Sequence, residues 1–79
     1  MSKAFVLITT EPGSEDAVLK GLKKIEGVDE TYFSYGVYDI IAKIRAESID
    51  KLKELVTQRI RRLDKVRSTL TMMITEEAK

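Results

Sequence analysis

The sequence predicts an α+β fold: a ferredoxin-like βαββαβ sandwich, with an antiparallel four-stranded sheet and both helices on one face. Three observations carry that expectation. Four apolar or β-branched runs, at residues 3–10, 28–35, 38–46 and 66–75, have strand character. Two stretches with apolar residues at helical spacing follow the first and the third run. Only a glycine-bearing turn separates the second and third runs, which makes them a hairpin.

The first strand, KAFVLITT (3–10), is broken by Pro12-Gly13. Ser14 then stands as the N-cap of the first helix, and Glu15 and Asp16 suit the positive end of its dipole. Val18, Leu22 and Ile25 fall at i, i+4 and i+7 with Lys20, Lys23 and Lys24 on the other side, and the helix is expected to end near Gly27. VDETYFSY (28–35) is strand-like, and YDIIAKIRA (38–46) alternates with period two. Ser48 is placed to cap a second helix with the stripe Leu52, Leu55, Val56, Ile60 and Leu63. VRSTLTMMIT (66–75) is the last strand, and EEAK (76–79) a frayed tail. No linker or low-complexity segment interrupts residues 1–79, which are expected to form one domain.

Composition narrows the chemistry. A chain of 79 residues buries only ~60% of its unfolded surface, so its own core is marginal. There is no cysteine and no histidine, which removes disulfides, thiolate and imidazole metal sites and the usual general base. Oligomerisation is the staple that remains. A net charge of +1 steers the chain toward neither nucleic acid nor membrane. Ser2-Lys3 is followed by only a short apolar run, Ala4 to Ile8, so no signal peptide and no membrane span are expected, and the location is expected to be cytoplasmic. Absent asparagine, a single Gln58 and 34% charged residues fit a thermophile.

The sheet's second face should be polar in a monomer. Here both sets of alternating positions in the first strand are apolar: Ala4, Val6 and Ile8 against Phe5 and Leu7. Some of Phe5, Leu7, Ile41 and Met73, or their alternates, must lie away from the helices. Such a patch marks a partner surface, most simply a second copy packed sheet to sheet; the rival is an unusually apolar monomer.

No nucleophile–base pair, phosphate-cradling loop or paired acids suggest catalysis; the four glycines are scattered at 13, 21, 27 and 36. The aliphatic third strand lacks the aromatics with which an RNA-recognition motif stacks bases. The basic stretch RIRRLDKVR (59–67) has a phosphate-binding reading, but a solvated helix end with dipole-matched arginines accounts for it. The methionines are expected to pack the sheet. In the hairpin, Gly36 makes positive φ cheap. Asp39 opens an apolar strand, where aspartate is disfavoured; it either caps the turn or belongs to a site.

YGVYDI, followed by SIDKLKELVTQRIRRLDKVRSTLTMMI, resembles the effector-binding (RAM) domain of the Lrp/AsnC family of transcription regulators, over about residues 3 to 76. The most specific parts are Gly36, Tyr38 and Asp39 of the hairpin, the helix LKELV with its basic end, and the strand VRSTLT. Full-length members carry a helix-turn-helix domain first; with a strand starting at Lys3 this chain resembles the stand-alone form. The resemblance implies a non-catalytic domain of the dimeric α+β barrel type, without cofactor or metal. It implies a homo-dimer assembled into a ring, commonly an octamer, with a small amino-acid effector between dimers. By that resemblance Gly36 lies against the ligand, Asp39 meets its amino group, Tyr38 is the preceding aromatic, and Thr69 and Thr71 supply hydroxyls. Tyr35 stands where many members have threonine, and Val37 where many have a polar residue. An α-amino acid is a zwitterion, which suits N–H groups at a glycine turn and one carboxylate. Two other functions compete: an assembly protein that joins full-length Lrp/AsnC regulators or docks on a metabolic enzyme, and a small enzyme of the same fold, disfavoured by the missing histidine and paired acids.

Overall fold

The computed structural model describes residues 1–75; the expected tail at 76–79 lies outside them. Strand β1 (Ser2–Thr10) leads to helix α1 (Glu15–Lys23), then β2 (Val28–Phe33), β3 (Ile40–Ala46), helix α2 (Ile49–Leu55) with a π-helical continuation (Val56–Ile60), and β4 (Val66–Ile74). The strands form one antiparallel sheet in the order β2-β3-β1-β4. α1 lies over β2 and β3, and α2 over β3 and β1. The ferredoxin-like expectation is met. Among the described residues β4 pairs only with β1, and its outer edge is unpaired.

Alternation in the two central strands builds the core. Ala4, Val6 and Ile8 of β1 and Ile40, Ala42 and Ile44 of β3 are fully buried against Val18 and Leu22 of α1 and Leu52, Val56 and Ile60 of the second helical segment. Each fully buried Ile or Leu contributes about 1.5–3 kcal/mol of transfer free energy.

Three boundaries differ from the sequence expectation. α1 stops at Lys23, because Lys24 and Ile25 donate to the carbonyls of Gly21 and Leu22 in a tightened last turn, which still buries Ile25. β2 and β3 are shorter, since Ser34 N–H donates to the Asp39 carbonyl (2.8 Å) and closes a loop that leaves Tyr35 and Val37 exposed. Ser14 occupies the N-cap position but its side chain makes no capping bond; the Glu15 carboxylate instead accepts from Gly13 N–H (3.3 Å). Ser48 does cap, accepting from Lys51 N–H at 3.2 Å.

The π turn has a packing cause. In an α-helix each step of four residues advances about 40° around the axis, so Leu52, Val56 and Ile60 would drift by about 80°. From Val56 the helix widens, with Arg61 N–H donating to the Val56 carbonyl at 2.9 Å, five residues back. A turn of roughly 4.4 residues reverses the second advance and returns Ile60 to the line of Leu52. The Thr57 hydroxyl donates to the Lys53 carbonyl (3.0 Å) one turn earlier.

On the far face, directly opposed partners share a side. Tyr32, Ile41, Leu7 and Leu70 form a row across all four strands, and Glu30, Lys43, Phe5 and Met72 form the next. Met73 lies opposite Ala4 on the helix side, so β4 presents Leu70, Met72 and Ile74 to the far face instead, exposed by 48%, 54% and 37%. Tyr32 Oη donates to Glu30 Oε2 (2.8 Å), and that bond, with the carboxylate's charge, raises the phenol's pKa.

Gly27 has φ +100°, and a Cβ there would sit 2.6 Å from Leu55 Cδ1 and 2.9 Å from the Arg45 carbonyl oxygen. Its own carbonyl accepts from Arg45 N–H at 2.8 Å, so this backbone cannot withdraw. Gly36 has φ +115° with nothing within 4 Å of a built Cβ. In urea unfolding, Gly27→Ala is expected to lose about 2–4 kcal/mol and Gly36→Ala about 1–2 kcal/mol. Equal losses would show that no contact distinguishes the two glycines.

Candidate functional site

Asp39 sits where β3 begins and β1 ends. Its N–H donates to the Ile8 carbonyl at 2.9 Å. Beyond that point β3 has no backbone to offer β1, and the Asp39 side chain takes over. Oδ2 accepts from Thr10 N–H at 2.8 Å and from the Thr10 hydroxyl at 3.4 Å. Thr10 is only 4% exposed, so its N–H needs a partner. Asp39 therefore does not cap its own hairpin turn; it completes the ladder of the neighbouring strand. No donor among the described residues reaches its other oxygen, Oδ1.

That carboxylate lines a cleft of about 570 Å³ at the end of the sheet. Thr9, Ser68 and Val37 contribute to its walls, as do Pro12, Glu15 and Arg67. The hydroxyls of Thr9 and Ser68 are hydrogen-bonded to each other at 2.5 Å. The β1–β4 register shifts here: Thr9 faces Ser68 but Thr10 faces Val66, which leaves Arg67 as the extra residue of a bulge. Bulges re-aim side chains, and the bulged Arg67 is among the residues that line the cleft. Among the described residues Arg67 forms no ion pair with Asp39 or Glu15.

The structure gathers only part of the site expected from the sequence. Gly36 and Tyr38 stand in the loop that leads to Asp39. Thr69 and Thr71 pair with Ile8 and Val6, on the helix side of β4, and do not line the cleft of their own chain. Thr9, Ser68, Glu15 and Arg67 do, and sequence reasoning missed them. The signal for Ser68 lay in the alternation, since it neighbours Thr69 but faces the other way; Arg67 needed the bulge, which spacing does not reveal. A larger depression of about 720 Å³ lies at the opposite end, beside Gly27, Arg45 and Glu47. It touches none of the expected residues, and its Arg45 is already paired with Asp29 at 2.7 Å. Among the described residues no group of acidic side chains could hold a metal ion, and no helix is long and apolar enough to cross a membrane.

Because Oδ2 serves Thr10, Asp39→Ala is expected to cost about 1–3 kcal/mol of stability in denaturant unfolding. Asp39→Asn keeps an acceptor and is expected to cost less than about 1 kcal/mol. An alanine variant as stable as the parent would show that the latch to Thr10 carries no weight.

Comparison with known proteins agrees with this geometry. The model of the Lrp/AsnC ligand binding domain matches residues 3–79. An uncharacterised helix-turn-helix-type transcriptional regulator of Pyrococcus furiosus is 34% identical over 73 residues, which are 89% of this chain and 49% of that protein. The chain thus spans about half the length of that curated relative. Among solved structures, TTHA0845 from Thermus thermophilus is 30% identical with a TM-score of 0.93, covering 100% of this chain and 99% of its own. A transcriptional regulator from Neisseria meningitidis, solved in complex with L-Met, shares the fold at a TM-score of 0.88 and 12% identity, over 99% of this chain and 52% of that one. Sequence motif, sheet topology and family model coincide over almost every residue, and the chain belongs to the Lrp/AsnC ligand-binding domain family, a non-enzymatic family of transcriptional regulators.

Proposed function

We propose that this domain is a regulatory module, a single domain over residues 1–79, that binds a small amino-acid effector in the cytoplasm. It does so between dimers of a homo-oligomeric ring, an octamer in the commonest arrangement, and contacts no nucleic acid itself. The observation that carries this reading is the cleft beside Asp39, which is lined by a carboxylate with one oxygen free of hydrogen bonds and by Arg67, the two unpaired among the described residues. A zwitterion satisfies both: its ammonium meets the carboxylate and its carboxylate meets the guanidinium or the open backbone at Gly36. The Neisseria regulator bound to L-Met supports the fold's capacity for such a ligand. Thr69 and Thr71 enter the site in this reading from a neighbouring protomer, which accords with a ligand held between dimers.

The far face supports the dimer. Its row of Tyr32, Ile41, Leu7 and Leu70 joins Phe5 and Met72 in one apolar surface on a chain short of core. Packing two such sheets buries both copies' rows.

Exposed Phe33 at the end of β2, with Tyr35 and Val37 of the loop that follows, favours a second reading. In it the domain assembles with full-length Lrp/AsnC regulators, or docks on a metabolic enzyme, and holds no ligand of its own. Calorimetry against a panel of amino acids separates the two, since the second gives no heat of binding.

Light scattering at micromolar concentration is expected to give at least twice the 9.0 kDa chain mass, and Leu70→Glu to lower that mass by placing a charge in the buried row. A parent protein that runs as a monomer would sink the dimer. Asp39→Asn is expected to weaken amino-acid binding by about 1.5–3 kcal/mol, the range for hydrogen bonds to charged groups, with the oligomer intact. Unchanged affinity in that variant would remove Asp39 from the site.

A further inference from the structure

The cleft beside Asp39 is lined by three charged side chains, and their arithmetic is informative. Glu15 and Asp39 carry one negative charge each and Arg67 one positive. Each is positioned by a separate local device. Glu15 opens α1, where a carboxylate suits the positive end of the helix dipole, and its Oε1 accepts from Gly13 N–H at 3.3 Å. Asp39 is anchored by Oδ2 on Thr10, with Oδ1 left over. Arg67 is the bulged residue of β4. None of the three pairs with another among the described residues, so both signs of charge line one cleft of about 570 Å³ without neutralising each other by direct contact.

Resting on the effector reading above, we infer that the cleft selects an amino acid bearing a second cationic group. Arg67 takes its α-carboxylate, Asp39 its α-ammonium and Glu15 its side-chain cation. A neutral amino acid leaves Glu15 desolvated and unanswered, and an acidic one sets a second carboxylate against it; each mismatch is penalised because a partly buried charge loses water without gaining a partner. Thr9 and Ser68 add hydroxyls to the lining, and only Val37 and Pro12 add apolar side chains, which suits a polar ligand better than an aliphatic one.

The test is titration calorimetry of the whole chain with L-lysine and L-norleucine, which differ only in the terminal ammonium, and with L-glutamate. L-lysine is expected to bind at least about tenfold tighter than L-norleucine, with L-glutamate weakest. Glu15→Gln keeps an acceptor for Gly13 N–H and is expected to narrow the lysine-to-norleucine ratio to less than about threefold. Arg67→Gln is expected to weaken both ligands by a similar factor. L-norleucine or L-glutamate binding as tightly as L-lysine would overturn this inference while leaving the effector reading in place. Heat from none of the three, nor from any neutral amino acid, would overturn both. A Glu15→Gln protein of unchanged melting temperature that retains the full preference would overturn the assignment to Glu15.

Discussion

Strand β1 is paired along both edges, to β3 and to β4, and its register decides which side of the sheet every neighbouring residue occupies. Val6 and Ile8 face the helices, so Ala42 and Ile40 must as well, and the core closes around them. Leu7 faces away and takes Ile41 and Leu70 with it. A slip of one residue would exchange the two sets, placing Phe5 and Leu7 under helices shaped for smaller side chains. The same strand, at its last residue, creates the N–H that Asp39 satisfies. Core, apolar far face and cleft are thus three consequences of one alternation.

Much of this could be read from the sequence, for physical reasons. Helical spacing and period-two alternation are strong when a short chain must concentrate its apolar residues, which is why Val18, Leu22, Ile40 and Ile44 were assignable to a core. Ser48 and Gly36 follow rules of local geometry and behave as expected. Three features were hidden because they are resolved only by packing. The π turn appears only when Ile60 must regain the line of Leu52. The Arg67 bulge depends on where β1 and β4 fall out of step. The choice between Met72 and Met73 for the far face depends on register alone, both being apolar. Within the site, family resemblance pointed to Asp39, but not to Thr10 as the group its carboxylate serves.

Asp39 divides its two oxygens between different tasks. One belongs to the fold, because buried Thr10 donates its N–H to it; the other accepts no hydrogen bond among the described residues, where the cleft's other charged side chains form no ion pair. Removing the side chain therefore confounds stability with recognition, whereas removing only the charge separates them.

The outer edge of β4 has a bearing on the life of the chain before it finds a partner. Val66 to Ile74 form a nine-residue ribbon, VRSTLTMMI, with no proline, glycine or lysine along it. Proteins ordinarily blunt such an edge with charge or a break, because its free backbone groups invite any passing strand. Here the only charge is Arg67, at the bulged end. While nothing covers that edge, edge-to-edge growth is the hazard such a ribbon carries. For this domain the β4 edge is thus the place where cover by a neighbouring chain would guard against fibre formation.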